Sequence, residues 1–593
     1  MARRLKTPKS SIETAWHLAI IFLVGIVIYS NTLTSSFQFD DKLNIVENLL
    51  IRDIRNLWPP QGGRWFGFLT FSLNYMVGGL NTTGYHLVNT GIHIFTAVSV
   101  YFFVLLTLGT PYFCKNKNCV VPDRWFAFSC AILFVAHPIQ TQAITYIVQR
   151  FASLMTLLFI LSLDFYIWAR LTAVTGEPGA RRGTSRFNCQ TISLYAASCV
   201  CAVASLKTKE NSFTLPVVIV LYDAIFLYGF ITVPAILKKW WRTVASLIVL
   251  LCAGMVYAVK SYDVQRLFDT FKDTNEITRH DYLVTQFRVI VTYIRLLFLP
   301  VNQTIDHHYR VYVSVFEPSV FASLVMIVLL LSVAGYLLWV SREGASYLRL
   351  VSFGIFWFFI TLSIESSFIP IIDIMFEHRL YLPSIGVIIA IIGLFVHLFQ
   401  KGALIRCRSL RPAACILAIV VLALSCTTYQ RNKVWKNELT LWSDAIAKKT
   451  DNPRAYNMVG IYYQAHASIF DAITYFRKAL EVDSSYAEAR SNLGNAYVQA
   501  GRVDEGLKEL MIAAQSNRFD AIDTGILYYN IGKGFQRKGM PGQAIEYLNS
   551  ALSYIPQEAA VFFLLGEIYK QQNMIEQSKV CFKTAHELDP EKY

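Results

Sequence analysis

The sequence predicts an all-α protein: a polytopic transmembrane helix bundle of about eleven spans, followed by a C-terminal α-helical solenoid. Two observations carry this. First, 54% of the 593 residues are hydrophobic and only 16% are charged, against about a quarter charged in an ordinary soluble domain. Several apolar runs reach the roughly 20 residues needed to cross a bilayer. Second, residues beyond about 455 repeat with a period of 34. The reading divides the chain at 430, with the membrane domain over 1–430 and the repeats over 431–593.

Spans are expected near 14–32, 85–108, 124–143, 151–170, 190–206, 211–231, 243–260, 317–340, 348–366, 379–399 and 411–428. The first follows a basic start (Arg3, Arg4, Lys6, Lys9) and reads as a retained signal anchor. Lys and Arg collect in short loops: Lys115, Lys117 and Arg124; Arg170, Arg181, Arg182 and Arg186; Lys238, Lys239 and Arg242; Lys401, Arg406, Arg408 and Arg411. Basic short loops face the cytoplasm, and charge confined to them argues against nucleic acid as a partner despite the net charge of +14. The stretch 283–300 carries Arg288 and Arg295 on one helical face and is expected to lie in the outer interface rather than span. That parity places the C-terminus, and the stretch 33–84, outside. Within 33–84, the aromatic run RWFGFLTFSLNYMVGGL suggests juxtamembrane helices against the outer leaflet.

In the C-terminal part, Gly460, Gly494, Gly532 and Gly566 mark the period, with intervals of 34, 38 and 34. Tyr463, Tyr497, Phe535 and Tyr569 follow them by three, and Ala479, Ala513, Ala551 and Ala585 by nineteen. This is the tetratricopeptide (TPR) pattern of stacked helix pairs, about four repeats. A partial unit is expected over Trp435–Ala445, and the four extra residues near 517–523 enlarge one turn. Such solenoids offer a concave surface to extended peptides or proteins.

The external loops hold the polar residues that invite chemistry. Asp40 and Asp41 lie just past the first span, where an acid–base pair meets lipid-borne substrates. Arg64, Arg150, Lys209 and Arg379 defy the cytoplasmic bias of basic residues and suit the charge of a phosphate leaving group. His86, Asn89, His137, Glu210, Asp306, Glu377, His378 and Tyr381 are supporting candidates. Of these, His86 is read, with His93, as a packing or hydrogen-bonding residue. The histidine and aspartate sets leave a divalent metal open without favouring it, since no HExxH occurs. The eleven cysteines read as buried small apolar residues.

FDD (39–41), LTFSLNYMVGGLNTTGYHLVN (69–89), HPIQTQAITYIVQR (137–150), KEN (209–211) with LPVVIVLYD (215–223), and EHRLYLPSIG (377–386) together resemble the GT-C class of glycosyltransferases. More narrowly, they resemble the transmembrane-and-TPR protein O-mannosyltransferase family and its bacterial relatives. The resemblance implies a polyprenyl-phosphate-linked sugar donor and inverting transfer to a Ser or Thr hydroxyl of an acceptor protein that the TPRs recruit. It also implies that the acidic motif, here Asp40 and Asp41, serves as base. Which of the two is the base stays open. Gln142 stands where an acid is common in the family. EHRLYLPS favours a bacterial inner membrane with periplasmic TPRs, with the endoplasmic-reticulum membrane and lumenal TPRs as the alternative. A non-enzymatic TPR scaffold, or a lipid-linked oligosaccharide ligase, are the other functions open at this level. Single cysteines introduced across 33–84 in a cysteine-free background are expected to react with a membrane-impermeant maleimide from the external side. Reaction from the cytosol alone would reverse the topology.

Overall fold

The computed structural model describes residues 8–114, 121–174, 189–227, 277–342, 346–367, 369–371, 373–401, 411–516, 519, 521–590 and 592–593. Among the described residues every regular element is helical. The span expected at 243–260, most of the basic-loop residues and part of the 517–523 turn lie outside them. The chain divides into two compact units. One comprises Met1–Ile305 with Tyr309–Asn437, the other Asp306–His308 with Glu438–Tyr593.

The first unit contains α1 (Pro8–Tyr29), α2 (Trp65–Gly78), α3 (Thr82–Leu108), α4 (Asp123–Ala136), α5 (Arg150–Val174), α6 (Cys189–Leu206), α7 (Leu215–Tyr222), α8 (Arg279–Phe298), α9 (Pro318–Val340), α10 (Leu348–Leu362), α11 (Pro383–Gln400) and α12 (Arg411–Val434). Among the described residues eight helices are long and apolar enough to cross a membrane, or nine with the bent pair at α4. The uninterrupted span expected over 124–143 is broken there by 52°. The cause is local: the Pro138 ring disfavours the α region for His137, which sits extended at φ −74° and ψ 126°.

The stretch expected at 283–300 forms α8, which is not among the membrane-length apolar helices. Its buried face, Tyr282, Gln286, Val289, Tyr293 and Leu296, repeats every three or four residues. The hydroxyls on that face donate to the carbonyls of Glu365 at 2.7 Å and Phe376 at 2.9 Å. So α8 holds the chain at Glu365 and at Phe376.

α10 and α11 pass close to each other at a pair of glycines. A Cβ on Gly354 would sit 2.1 Å from the Gly386 carbonyl oxygen, and one on Gly386 2.5 Å from Cδ1 of Trp357. The approach lets Trp357 pack on Phe103 and Phe353, with ring centroids 5.8 and 5.7 Å apart, inside the bundle core.

The second unit contains α13 (Glu438–Lys448), α14 (Pro453–Ala465), α15 (Ile469–Val482), α16 (Ala487–Gln499), α17 (Val503–Ala514), α18 (Ala521–Arg537), α19 (Pro541–Tyr554), α20 (Ala559–Gln571) and α21 (Ile575–Leu588). The repeat period has a steric meaning. The glycines at 460, 494, 532 and 566 face Phe476, Leu510, Leu548 and Phe582, and an added Cβ would come within 2.5, 2.7, 2.7 and 2.9 Å of those side chains. Each glycine therefore admits a bulky residue of the paired helix. Ala479, Ala513, Ala551 and Ala585 are all buried. Arg431–Asn437, immediately before α13, packs with the first unit.

Gly354→Val is expected to destabilise the detergent-solubilised protein by about 1–3 kcal/mol, the usual range for overpacking. Gly91→Ala, whose Cβ meets nothing within 4 Å, is expected to be neutral; thermal unfolding of the two side by side is the check.

Candidate active site

α1 ends in a short 3-10 turn (Ser30–Thr32), and the chain then runs to Phe39, whose φ is +44°. Non-glycine residues rarely adopt that region. The left-handed turn sends Asp40 and Asp41 to different environments. Asp41 is fully buried. Its Oδ2 accepts from Gln38 N at 2.9 Å and its Oδ1 from Val148 N at 2.6 Å. Burial outweighs those two donors and pushes its carboxyl up to about 8. Asp40 is only half-buried. Its N–H donates to Tyr146 Oη at 2.8 Å, and its carbonyl accepts from Asn44 N and Nδ2, each at 3.0 Å.

The guanidinium expected at a phosphate, that of Arg150, is enclosed instead. Arg150 is fully buried. Its Nε donates to Asn89 Oδ1 at 2.6 Å, Nη1 to the Thr70 carbonyl at 3.2 Å and Nη2 to the Tyr85 carbonyl at 3.1 Å, and it lies 4.5 Å over the Phe71 ring. Asn89 Nδ2 in turn donates to the carbonyls of Ile144 and Ile147. Neighbouring histidines do similar work. His86 Nε2 donates to the Ser35 carbonyl at 3.2 Å. His93 Nε2 donates to Val135 O, and its Nδ1 lies 2.8 Å from the Tyr381 hydroxyl. In the broken span, His137 Nδ1 accepts from Ile139 N, which leaves Nε2 to donate to Leu297 O at 3.0 Å.

The other three basic candidates come together. Lys209 Nζ is 2.7 Å from Glu365 Oε1, both buried, and Glu365 Oε2 accepts from Asn211 Nδ2 at 2.7 Å. Burial alone would raise the Glu365 carboxyl, but the Lys209 and Arg379 charges beside it hold it below its ordinary value. Arg379 donates to the carbonyls of Ile374 and Asp373. Arg64, half-exposed at the N-terminal edge of α2, pairs with Glu210 at 3.3 Å. His378 sits among Lys209, Arg379 and Arg64; burial, then those charges, keeps it well below the ordinary histidine value. It is therefore neutral, and its buried Nδ1 has no hydrogen-bond partner.

The segment 137–149 connects the acidic and basic groups. Val148 N holds Asp41, and Gln142 Oε1 accepts from His378 N at 2.7 Å. Glu377 is a loop tie, accepting from Gln303 Nε2 and Thr304 N, each at 2.8 Å. Asp306 groups with the repeat unit, where Arg454 lies 3.8 Å from it. Among the described residues no set of three His, Cys, Asp or Glu side chains is placed to hold a metal ion. Tyr146 escaped the sequence reading: it lay in the quoted 137–150 block, but nothing local separates a hydroxyl that orients an acid from an aromatic that fills space.

A tetratricopeptide repeat model matches residues 559–592. Protein O-mannosyl-transferase Tmtc3 of Drosophila melanogaster is 22% identical over 544 residues, 82% of this chain and 57% of that protein. Protein O-mannosyl-transferase TMTC3 of Homo sapiens is 24% identical over 564 residues, 83% of this chain and 54% of that protein. Protein O-mannosyl-transferase F38B6.6 of Caenorhabditis elegans is 23% identical over 500 residues, 80% and 63% of the two chains. This chain resembles the transmembrane-and-TPR O-mannosyltransferase family. It spans little more than half the length of the first two of these relatives. It is a multi-pass membrane protein with a tetratricopeptide repeat. Among solved structures, a crystal structure of MamA aligns with 26% of this chain and 88% of its own at 21% identity, with a TM-score of 0.23.

Lys209→Ala leaves Glu365 charged and buried without its cation, a change that costs about 3–5 kcal/mol. Arg64→Ala removes a half-exposed pair and is expected to cost about 0–1 kcal/mol. Thermal unfolding of the two variants should separate them in that order.

Proposed function

We propose that the protein is a GT-C-type membrane glycosyltransferase that moves a sugar from a polyprenyl-phosphate donor to Ser or Thr hydroxyls of exported proteins, with inversion. The observation that carries this reading is the bridging segment 137–149, which holds Asp41 at one end and the backbone of His378, within the Arg64–Lys209–Arg379 group, at its other contact. An acid that can reach solvent and a cationic group that can receive an anion are thereby parts of one braced assembly.

Asp40 is the base. A carboxyl that keeps its proton to about 8, as Asp41 does, takes none from a hydroxyl at neutral pH, and both its oxygens are engaged by backbone. Asp40 accepts the hydroxyl proton while that oxygen attacks the anomeric carbon. The bond from that carbon to the phosphate oxygen breaks, and the phosphate leaves with its charge held by Arg64, Lys209 and Arg379. A single displacement inverts the centre, and no acid is needed for so stable a leaving group. Arg150 is left out of the phosphate contacts because its Nε and both Nη atoms are already engaged by Asn89, Thr70 and Tyr85.

The names of the relatives point to mannose as the sugar. The TPRs recruit the acceptor, and the lipid tail of the donor lies among the spans. The site faces the compartment away from the cytosol. The three relatives described above are animal proteins, which favours the endoplasmic-reticulum lumen over the periplasm that EHRLYLPS suggested.

The test is mass spectrometry of exported proteins from cells with and without the gene, with loss of hexose increments on Ser and Thr as the expected result. In the purified enzyme, Asp40→Asn is expected to lower transfer by about 10²–10⁴-fold, the range for general acid–base groups, with unchanged thermal stability. Asp41→Asn presents an amide N–H to a backbone N–H and is expected to lower stability instead. Normal transfer by Asp40→Asn removes Asp40 from the chemistry.

A further inference from the structure

The aspartate loop has a second support that the proposed chemistry does not itself require. Tyr146 receives the Asp40 N–H, and its ring stacks on Trp435, with centroids 5.5 Å apart and planes 28° apart. Trp435 is almost wholly buried and sits just beyond α12. The next residue, Lys436, offers its carbonyl to Ser36 N at 3.0 Å. Asn432, one turn back, donates to the Ile28 carbonyl at 3.0 Å and accepts from the Thr145 hydroxyl at 3.2 Å. The end of the last span therefore grips the aspartate loop on one side and the Tyr146 turn on the other. Between them, Phe39 is held in the left-handed region, at φ +44°. A non-glycine residue persists there only where its surroundings over-determine it.

We propose that Tyr146 and Trp435 are positioning residues for Asp40: the stem joining the last span to the first repeat helix sets the aspartate through a Trp435–Tyr146 stack and the Tyr146 hydroxyl. The inference rests on the reading of Asp40 as base for its effect on transfer, but not for its effect on structure. The Tyr146 hydroxyl accepts the Asp40 N–H, so it fixes the backbone from which the carboxylate projects. The stem runs directly into α13 in sequence, so the repeats begin on the segment that sets the acid.

The test uses the full chain in nanodiscs, with two readouts. Hydrogen exchange of the peptide covering 37–46 is expected to accelerate about tenfold in Tyr146→Phe, because one hydrogen bond of ordinary strength protects the Asp40 amide. Trp435→Ala is expected to do the same, and Trp435→Phe, which retains an aromatic face, to restore most of the protection. For transfer, Tyr146→Phe is expected to lower kcat about tenfold with KM for the lipid donor unchanged. It should also move the acid limb of the pH profile upward, since removing a polar hydroxyl beside the carboxylate leaves the charged form less well stabilised. Unchanged exchange in both Tyr146→Phe and Trp435→Ala overturns the brace. Accelerated exchange with kcat and the acid limb unmoved keeps the brace and overturns the assignment of Asp40 as base, so the two failures are distinguishable.

Discussion

A full positive charge enclosed among helices is the constraint on which the region around Asp40 depends. Taking a guanidinium out of water is tolerable only when hydrogen bonds replace hydration. For Arg150 the replacements come from three directions: Thr70 on α2, Tyr85 and Asn89 on α3, and the Phe71 ring beneath. Arg150 is also the first residue of α5. Satisfying it therefore fixes where α5 begins relative to α2 and α3. The preceding residues have little freedom left: Tyr146 and Val148 are delivered to Asp40 and Asp41 as a consequence.

The two aspartates show how adjacent residues of one type are given different chemistry. Successive residues on a sharply turned backbone point apart, and here one meets backbone amides in a closed space while the other meets a tyrosine hydroxyl at the surface of the unit. The first is a clamp, because a buried carboxyl with both oxygens occupied joins two segments but exchanges protons reluctantly. The second retains access. The same division recurs at the basic group. Lys209 and Glu365 are mutually buried and hold loops together, while Arg64 keeps 44% of its side chain exposed in its pair with Glu210.

Much of the architecture was legible because it is periodic. Spans announce themselves by length and apolarity, and the 34-residue repeat by small residues whose purpose is steric, each glycine opposite a Phe or Leu sixteen positions on. The resemblance to the O-mannosyltransferase family was likewise carried by contiguous blocks. What sequence could not resolve was decided by burial and by contacts between distant segments. Arg150 and Arg379 are both buried, and what separates a brace from a member of the cationic group is the neighbours each meets: Asn89, Thr70 and Tyr85 for the first, Lys209 and Glu365 for the second. The break at His137 had a visible cause in Pro138, yet the apolar run continued through it and masked the bend. Trp435 read as the start of a repeat because its neighbours do; its partner, Tyr146, is remote in sequence.

If the stem were a passive linker, residues between the last span and the first repeat would be solvated and polar. Instead Asn432 and Trp435 are buried, and the contacts made by Asn432, Trp435 and Lys436 reach segments flanking Asp40: the end of α1, Ser36 and the 145–146 turn. Backbone and aromatic contacts of this kind are short-ranged and directional, so a small displacement of the stem is not absorbed gradually. It either preserves the Tyr146 hydroxyl at Asp40 or loses it. The segment that holds the Tyr146 turn is thus continuous in sequence with α13, where a passive linker would leave the turn without these contacts.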